Sequence, residues 1–249
     1  MPAKVSIIMP AYNAEATLAD SVQSVLAQTH PDWELLLIVD AKSADGTLDL
    51  ARDFAAQEPR IRLISGLAQG GCVFNRNHGF QKASGDFICL LDSDDLWHPQ
   101  KLEKQIAFMN ASGADITCTG YGWMSWDGSP LPTVVTPPEN ITHADMLLEN
   151  HIGCLTVMLR RARYPHLEFV EFLHEDYILW LQLTRDTVAR GLCENLATYR
   201  LARHSRSGNK VHAATKRWQI LRRFEKLSLP KALWCFGHYA IGALRKRAA

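Results

Sequence analysis

Leu91-Asp92-Ser93-Asp94-Asp95 closes an apolar run, Phe87-Ile88-Cys89-Leu90-Leu91, that reads as a buried strand. Three carboxylates at the tip of one strand repel one another unless a cation sits among them. A hard divalent ion, Mg²⁺ or Mn²⁺, suits that place, because it takes one or two carboxylates and completes its shell with water and phosphate oxygens. The plainer alternative is a helix cap. A helix is expected to begin near Pro99, and one aspartate ahead of it would satisfy its free N–H groups. A second acidic group, Glu175-Asp176 after His174, opens an apolar segment, Tyr177–Thr184, that reads as a buried helix. Acids at a helix start are favoured by the macrodipole alone; they equally offer a general base.

Such groups need elements to hold them. Val5–Met9, Trp33–Val39, Ile61–Ile64 and Phe87–Leu91 read as strands. Helical patterns separate them: one from Asn13, read as its N-cap, to about Gln28, one from Asp45-Gly46-Thr47, and a short one between Gly70-Gly71 and Ala83. Repeated strand–helix units predict an α/β fold, a mostly parallel central sheet flanked by helices, with ligands at the carboxyl ends of its strands. Pro10-Ala11-Tyr12-Asn13, Asp40 and Asp92–Asp95 all fall at such ends. Tyr12 offers an aromatic face to a base or ribose. No GxGxxG follows the first strand and no GxxxxGK[ST] occurs, which argues against a dinucleotide fold or a P-loop.

The 249 residues, 47% of them hydrophobic, can bury one large domain or two fused lobes. Six scattered cysteines without CxxC spacing read as reduced thiols of a cytosolic protein, not as a disulfide framework or zinc site. There is no basic-then-apolar leader at the start and no apolar stretch of membrane-spanning length. The net charge of +1 hides a split. Tyr199 to Ala249 carries 13 Lys/Arg against one acid, Glu225, for +12, while the other 198 residues carry 14 basic and 25 acidic side chains, for −11. A basic tail of this kind meets something anionic.

Val5-Ser6-Ile7-Ile8-Met9-Pro10-Ala11-Tyr12-Asn13, Asp45-Gly46-Thr47, Arg76-Asn77-His78-Gly79 and Leu91-Asp92-Ser93-Asp94-Asp95 come in the order and spacing of family 2 glycosyltransferases, which this chain resembles over roughly residues 4 to 110. The resemblance implies an inverting enzyme of the GT-A fold. It implies that Pro10, Tyr12, Asn13, Asp40, Arg76, Asp92 and Ser93 serve the nucleotide-sugar donor, and that Asp92 and Asp94 are the DxD pair, with Asp94 as the ligand of a divalent cation, Mn²⁺ or Mg²⁺. Asp95 is left as the helix cap. One departure bears on the base: the family has two aspartates after the second strand, where this chain has Asp40-Ala41-Lys42, and Ala41 cannot contact a nucleobase as the second acid does. The resemblance also places the catalytic base on the Asp of an acid pair at the position of Glu175-Asp176. Asp176 is then the base and Glu175 its support.

The expected organisation is a nucleotide-sugar half (1–110), an acceptor and catalytic-base half (111–212) and a basic amphipathic helical tail (213–249). In the second half, Ile116–Tyr121 and Gly122–Trp126 read as two strands, followed by a Pro-rich loop to Pro138, a helix over Ile141–Asn150 capped by Thr142, and a strand over Ile152–Leu159. Trp123 and Trp126 form either an acceptor platform or a hydrophobic flap. The basic loop from Arg203 reads for most of its side chains as solvated surface; a loop that closes on a diphosphate has the same composition, and His204 and Ser205 are then its contacts. Ala214-Thr215-Lys216-Arg217-Trp218 departs from the QxxRW of processive synthases, since Ala214 replaces the Gln, so one sugar per encounter is expected. In the tail, Lys216–Leu229 and Ala232–Leu244 are helical, with apolar residues on one side and basic flanks. Residues 216–247 thus fit an anionic membrane surface from the cytoplasmic side, or pack on protein; no motif accompanies the charge that would favour nucleic acid.

The expected reaction is therefore transfer of one sugar to a lipid-linked saccharide in surface-polysaccharide assembly. Two rivals stand beside it: a nucleotidyltransferase, whose Gly-rich basic first loop is absent at Pro10–Asn13, and a non-catalytic carbohydrate-binding protein of the same fold.

Overall fold

The computed structural model describes residues 3–201 and 210–248. The first half alternates β1 (Val5–Ala11), α1 (Leu18–Leu26), β2 (Trp33–Val39), α2 (Thr47–Gln57), β3 (Ile61–Ile64), α3 (Cys72–Lys82) and β4 (Phe87–Leu90). All seven residues of β2 and all four of β4 are buried, as expected of strands covered by helices on both faces. β1 lies parallel to β2 and to β4, and β2 parallel to β3. The tips carrying Tyr12, Asp40 and Asp92 consequently share one rim.

The second half adds β5 (Leu96–Trp97), α4 (Lys101–Ser112), β6 (Ile116–Met124), β7 (Pro130–Val135), β8 (Asn140–Ile141), α5 (His143–Leu148), β9 (Met158–Arg160), α6 (Glu175–Leu183), β10 (Ala189–Arg200), α7 (Lys210–Gln219) and α8 (Leu229–Ala248). One sheet runs β3-β2-β1-β4-β9-β6-β10-β5, with β7 on β6 and β8 on β10. β9 is antiparallel to both β4 and β6, and the parallel pairing resumes between β6 and β10.

Several elements differ from the sequence expectation. Ile116–Met124 is one strand, not two, because β10 pairs along its length. The Pro-rich segment forms β7, where Pro130 pairs with Met124 and Val135 with Tyr121; proline is tolerated on an edge strand. Ile152–Leu159 is broken by a 3₁₀ turn, Cys154–Thr156, before β9. Asn13 does not cap α1: it lies in the left-handed region at φ 45°, and Thr17 occupies the N-cap position. Thr142 caps α5 as expected, through a reciprocal bond pattern with Asp145.

The tail helices join the main core. Ile220, Leu221, Ala232 and Cys235 are buried in the same cluster as Tyr177–Leu181 of α6. Arg217 of α7 is also buried; its guanidinium lies 3.9 Å from the centre of the Tyr177 ring and donates to the Leu147 carbonyl at 3.0 Å, at the end of α5. A cation there meets the negative end of that short helix.

Candidate active site

The turn after β4 holds Asp92, Ser93 and Asp94 half-buried and Asp95 buried. Asp95 does not cap α4. Its Oδ1 instead accepts the Arg200 backbone N–H at 2.9 Å, because β5 intervenes before the helix and pairs with β10. Arg200, itself buried, closes the turn from the other side. Its Nε donates to the Asp94 carbonyl, its Nη1 to the Trp126 carbonyl and its Nη2 to the Asp20 carboxylate, each at 2.9 Å. The crowding of acids shows in their titration. Burial, with the Asp92 charge added, pushes the Asp94 carboxyl up to about 6. Burial, then Asp94 and Asp92, drives Asp95 well above the usual carboxylate range.

Arg76 joins this turn to the second acidic group. It sits buried on α3, with Nη2 2.6 Å from Asp92 Oδ1 and Nη1 3.1 Å from Glu175 Oε1. Glu175 is buried and Asp176 half-buried at the first turn of α6. His174, just ahead, takes the left-handed conformation at φ 65°, which is uncommon for a non-glycine residue and found at constrained sites. Burial and the Glu175 charge push the Asp176 carboxyl up to about 6, with Arg76 pulling the other way. Such a group is ionised near neutral pH yet basic enough to take a proton.

The donor-side residues lie where the strand ends put them. Pro10, next to last in β1, is half-buried, and Tyr12 just beyond the strand is exposed, its ring open for stacking. Asn13 ties the loop after β1 to the loop after β2: its Oδ1 accepts the Ala44 N–H at 2.9 Å and its own N–H donates to Ser43 Oγ at 3.2 Å. Asp40 is buried and organises the loop before α3. It accepts the Gly71 N–H at 2.5 Å, Asn75 Nδ2 at 2.8 Å and the Lys42 N–H at 2.9 Å. Burial raises its carboxyl, but these bonds outweigh that and leave it below the usual range. A Cβ at residue 70 would fall 2.3 Å from Asp40 Oδ1, and residue 71 has φ +112°, so both positions require glycine.

Asp92, Asp94, Arg76, Glu175 and Asp176 are thus brought together, while His204 and Ser205 lie outside the described residues. Trp123 packs edge-on against Tyr199, with ring centres 6.2 Å apart. Sequence reasoning missed Arg200, which looks like any basic strand end. It also missed the Arg76–Glu175 link.

The acid set fits a divalent ion of the Mg²⁺ or Mn²⁺ type. Among the described residues no three His, Cys, Asp or Glu side chains converge as a closed cage. A hard ion of this size takes only one or two carboxylates and fills its other positions with water and phosphate, and Asp92 and Asp94 stand on one turn, with Asp92 Oδ1 also held by Arg76.

The family model described as glycosyl transferase family 2 matches residues 6–161. The chain is 40% identical over 245 residues, 98% of its length and 97% of the relative's, to the putative teichuronic acid biosynthesis glycosyltransferase TuaG of Bacillus subtilis. It is 36% identical over 98% of its length and 95% of the relative's to the UDP-Glc:alpha-D-GlcNAc-diphosphoundecaprenol beta-1,3-glucosyltransferase WfgD of Escherichia coli. Among solved structures, S. aureus TarS 1–349 in complex with UDP-GlcNAc superposes with a TM-score of 0.73 at 17% identity, over 95% of this chain and 71% of that one. The mannosyltransferase PcManGT from Pyrobaculum calidifontis, in complex with GDP-Man and Mn²⁺, gives 0.71 at 13% identity, over 100% and 76%. At such identities the structures establish the fold, which is GT-A.

Proposed function

Because the chain belongs to glycosyl transferase family 2, we propose that it transfers one sugar from a nucleotide-sugar donor to a hydroxyl of a lipid-linked saccharide in the assembly of a bacterial surface polysaccharide. The observation that carries this reading is the Arg76 bridge. One guanidinium spans Asp92 on the donor side and Glu175 beside Asp176 on the other, so a diphosphate site and a proton acceptor share one buried scaffold.

Asp176 takes the proton of the acceptor hydroxyl as that oxygen attacks the anomeric carbon from the face opposite the nucleotide. The bond from the anomeric carbon to the diphosphate breaks, and its electron pair leaves with the nucleoside diphosphate. One displacement inverts the anomeric centre, and no carboxylate nucleophile is needed. A divalent ion on Asp94 and Asp92 would offset charge on the departing diphosphate. Tyr12 stacks on the nucleoside, Pro10, Asn13, Asp40 and Ser93 shape its pocket, and His204 and Ser205 are the contacts to the diphosphate. Glu175, paired with Arg76, holds the start of α6 in place.

The names of TuaG and WfgD support a surface-polysaccharide role and an acceptor carried on a lipid diphosphate. Such an acceptor puts the enzyme on the inner face of the cytoplasmic membrane as a peripheral protein. Ala41 leaves the nucleobase open.

The test is turnover of UDP-, GDP- and dTDP-sugars with Mn²⁺ and a polyprenyl-diphosphate saccharide, with product stereochemistry read by NMR. One added sugar of inverted configuration is expected. Turnover unchanged by Asp94→Ala would remove the metal from the mechanism, and normal activity of Asp176→Asn would remove the base. Donor binding without transfer or hydrolysis for every sugar would leave a carbohydrate-binding protein.

A further inference from the structure

The region after β10 turns one face inward and leaves another bare. On α8, Ala232 and Cys235 are buried, and Phe236 packs edge-on against Trp218 of α7 at 5.7 Å. Leu229, Leu233, Trp234 and Ile241 point the other way and are 53%, 56%, 66% and 51% exposed. They are four of the seven large hydrophobic side chains exposed among the described residues. Spacings of four residues from Leu229 to Leu233, seven from Trp234 to Ile241 and eight from Leu233 to Ile241 keep these side chains on one outward stripe.

The charges beside this stripe have one sign. Arg222, Arg223, Lys226 and Lys231 are exposed. The one acid of the region, Glu225, turns its carboxylate inward, where it meets His143 Nε2 at 2.9 Å and Arg185 Nη2 at 2.8 Å. An outward apolar row, with exposed charges that are all basic among the described residues from Lys210 onward, matches an anionic bilayer: the apolar side chains enter the headgroup boundary and the cations meet lipid phosphates. Among the described residues no helix is long and apolar enough to cross a membrane.

We infer that the outward face of α8, with the basic turn preceding it, is a docking surface for an anionic phospholipid bilayer. The helices that carry this surface pack through the core on α6, the helix of Asp176. Arg217 on α7 stacks on Tyr177, the residue after Asp176, and Tyr177 Oη donates to the Met146 carbonyl at 2.6 Å. A docked α7–α8 pair therefore braces α6 directly, and docking should favour acceptors carried in the membrane. This deepens the glycosyltransferase reading, while the lipid binding itself does not depend on it.

The experiment is co-sedimentation of the full chain with vesicles of phosphatidylglycerol and phosphatidylcholine, against phosphatidylcholine alone. Each basic residue near such a surface is worth about a fivefold gain in partitioning. Neutralising Arg222, Arg223, Lys226 and Lys231 to Gln should cut binding on the order of a hundredfold or more, and Leu233→Ser with Trp234→Ser and Ile241→Ser should abolish it. Both variants should keep wild-type melting temperature and wild-type turnover of a water-soluble acceptor, while the KM for a vesicle-borne acceptor rises. Equal sedimentation of wild type and variants would overturn the inference. So would a concentration-dependent dimer that the serine variant dissolves, since the face would then be covered by a second copy. If vesicles bind but no sugar is transferred, the docking surface stands and the activity reading fails.

Discussion

Glu175 meets the Arg76 guanidinium at 3.1 Å in the protein interior, joining the start of α6 to the middle of α3 across 99 positions of sequence. Both side chains are about 95% removed from solvent, at 5% and 4% exposure, whereas the other partner of Arg76, Asp92, is 35% exposed. The guanidinium is therefore held from the buried side by Glu175 through Nη1 and reaches Asp92 at the rim through Nη2.

Removing Arg76 leaves Glu175 as an uncompensated buried carboxylate, and breaking such a pair costs about 3–5 kcal/mol. Arg76→Ala is expected to lower Tm by roughly 10 °C and to raise donor KM. Arg76→Lys keeps the charge but cannot span two carboxylates as a planar fork does, so it should recover much of the Tm and little of the donor affinity. Thermal melts run beside steady-state kinetics check this. A Tm for Arg76→Ala within a degree or two of wild type would mean that the two helices are not tied through this pair.

What the sequence made legible was local. Asp92–Asp95 is contiguous, and its place at a strand end follows from five apolar residues before it. The role of each acid was not legible. Asp95 is taken by the Arg200 N–H only because β5 crosses to pair with β10, a contact spanning about a hundred positions. β10 itself is masked by Arg190, Glu194 and Asn195, and by register shifts between Leu192 and Ala197 that break the alternation of a strand. Arg217 was hidden for the opposite reason. A cation in an amphipathic helix reads as solvent-facing, and here it is buried on an aromatic ring and helix-end carbonyls.

The pH profile follows from Asp176. Its carboxyl is pushed up to about 6, and a general base must be ionised to act. kcat/KM should therefore be level above about pH 7 and fall tenfold per unit below an acidic limb near 6. Asp176→Asn should lose on the order of a thousandfold in kcat at every pH and show no such limb. A wild-type profile flat down to pH 5 would exclude Asp176 as the group that takes the proton.

The same shift sets a stability effect of opposite sense. A carboxyl whose pKa is raised in the folded state, from 3.8 to about 6 for Asp176, contributes stability below the unfolded value near 4, and that contribution is lost as pH rises through 6. At pH 7.5 the ionised, half-buried Asp176 thus costs the fold about 1–2 kcal/mol. Asp176→Asn should melt a few degrees above wild type at pH 7.5, with the gap closing toward pH 4. Calorimetry at the two pH values checks it, and a variant less stable at pH 7.5 would contradict the raised pKa.

Arg200 is the remaining test of how the acidic turn is held. Its side chain satisfies the Asp94 carbonyl, the Trp126 carbonyl and Asp20, while its backbone N–H satisfies Asp95. A residue that orients a ligand from behind commonly accounts for 10- to 100-fold in metal affinity, to order of magnitude. Arg200→Lys retains a cation for Asp20 but cannot reach three acceptors at once. Mn²⁺ binding, measured by EPR in the presence of UDP, should weaken about tenfold in Arg200→Lys and more in Arg200→Ala, with the far-UV spectrum unchanged. The backbone bond from residue 200 to Asp95 survives both substitutions, so a loss of Mn²⁺ affinity is assignable to the guanidinium. Wild-type Mn²⁺ affinity in Arg200→Ala would show that the turn holds its own geometry without it.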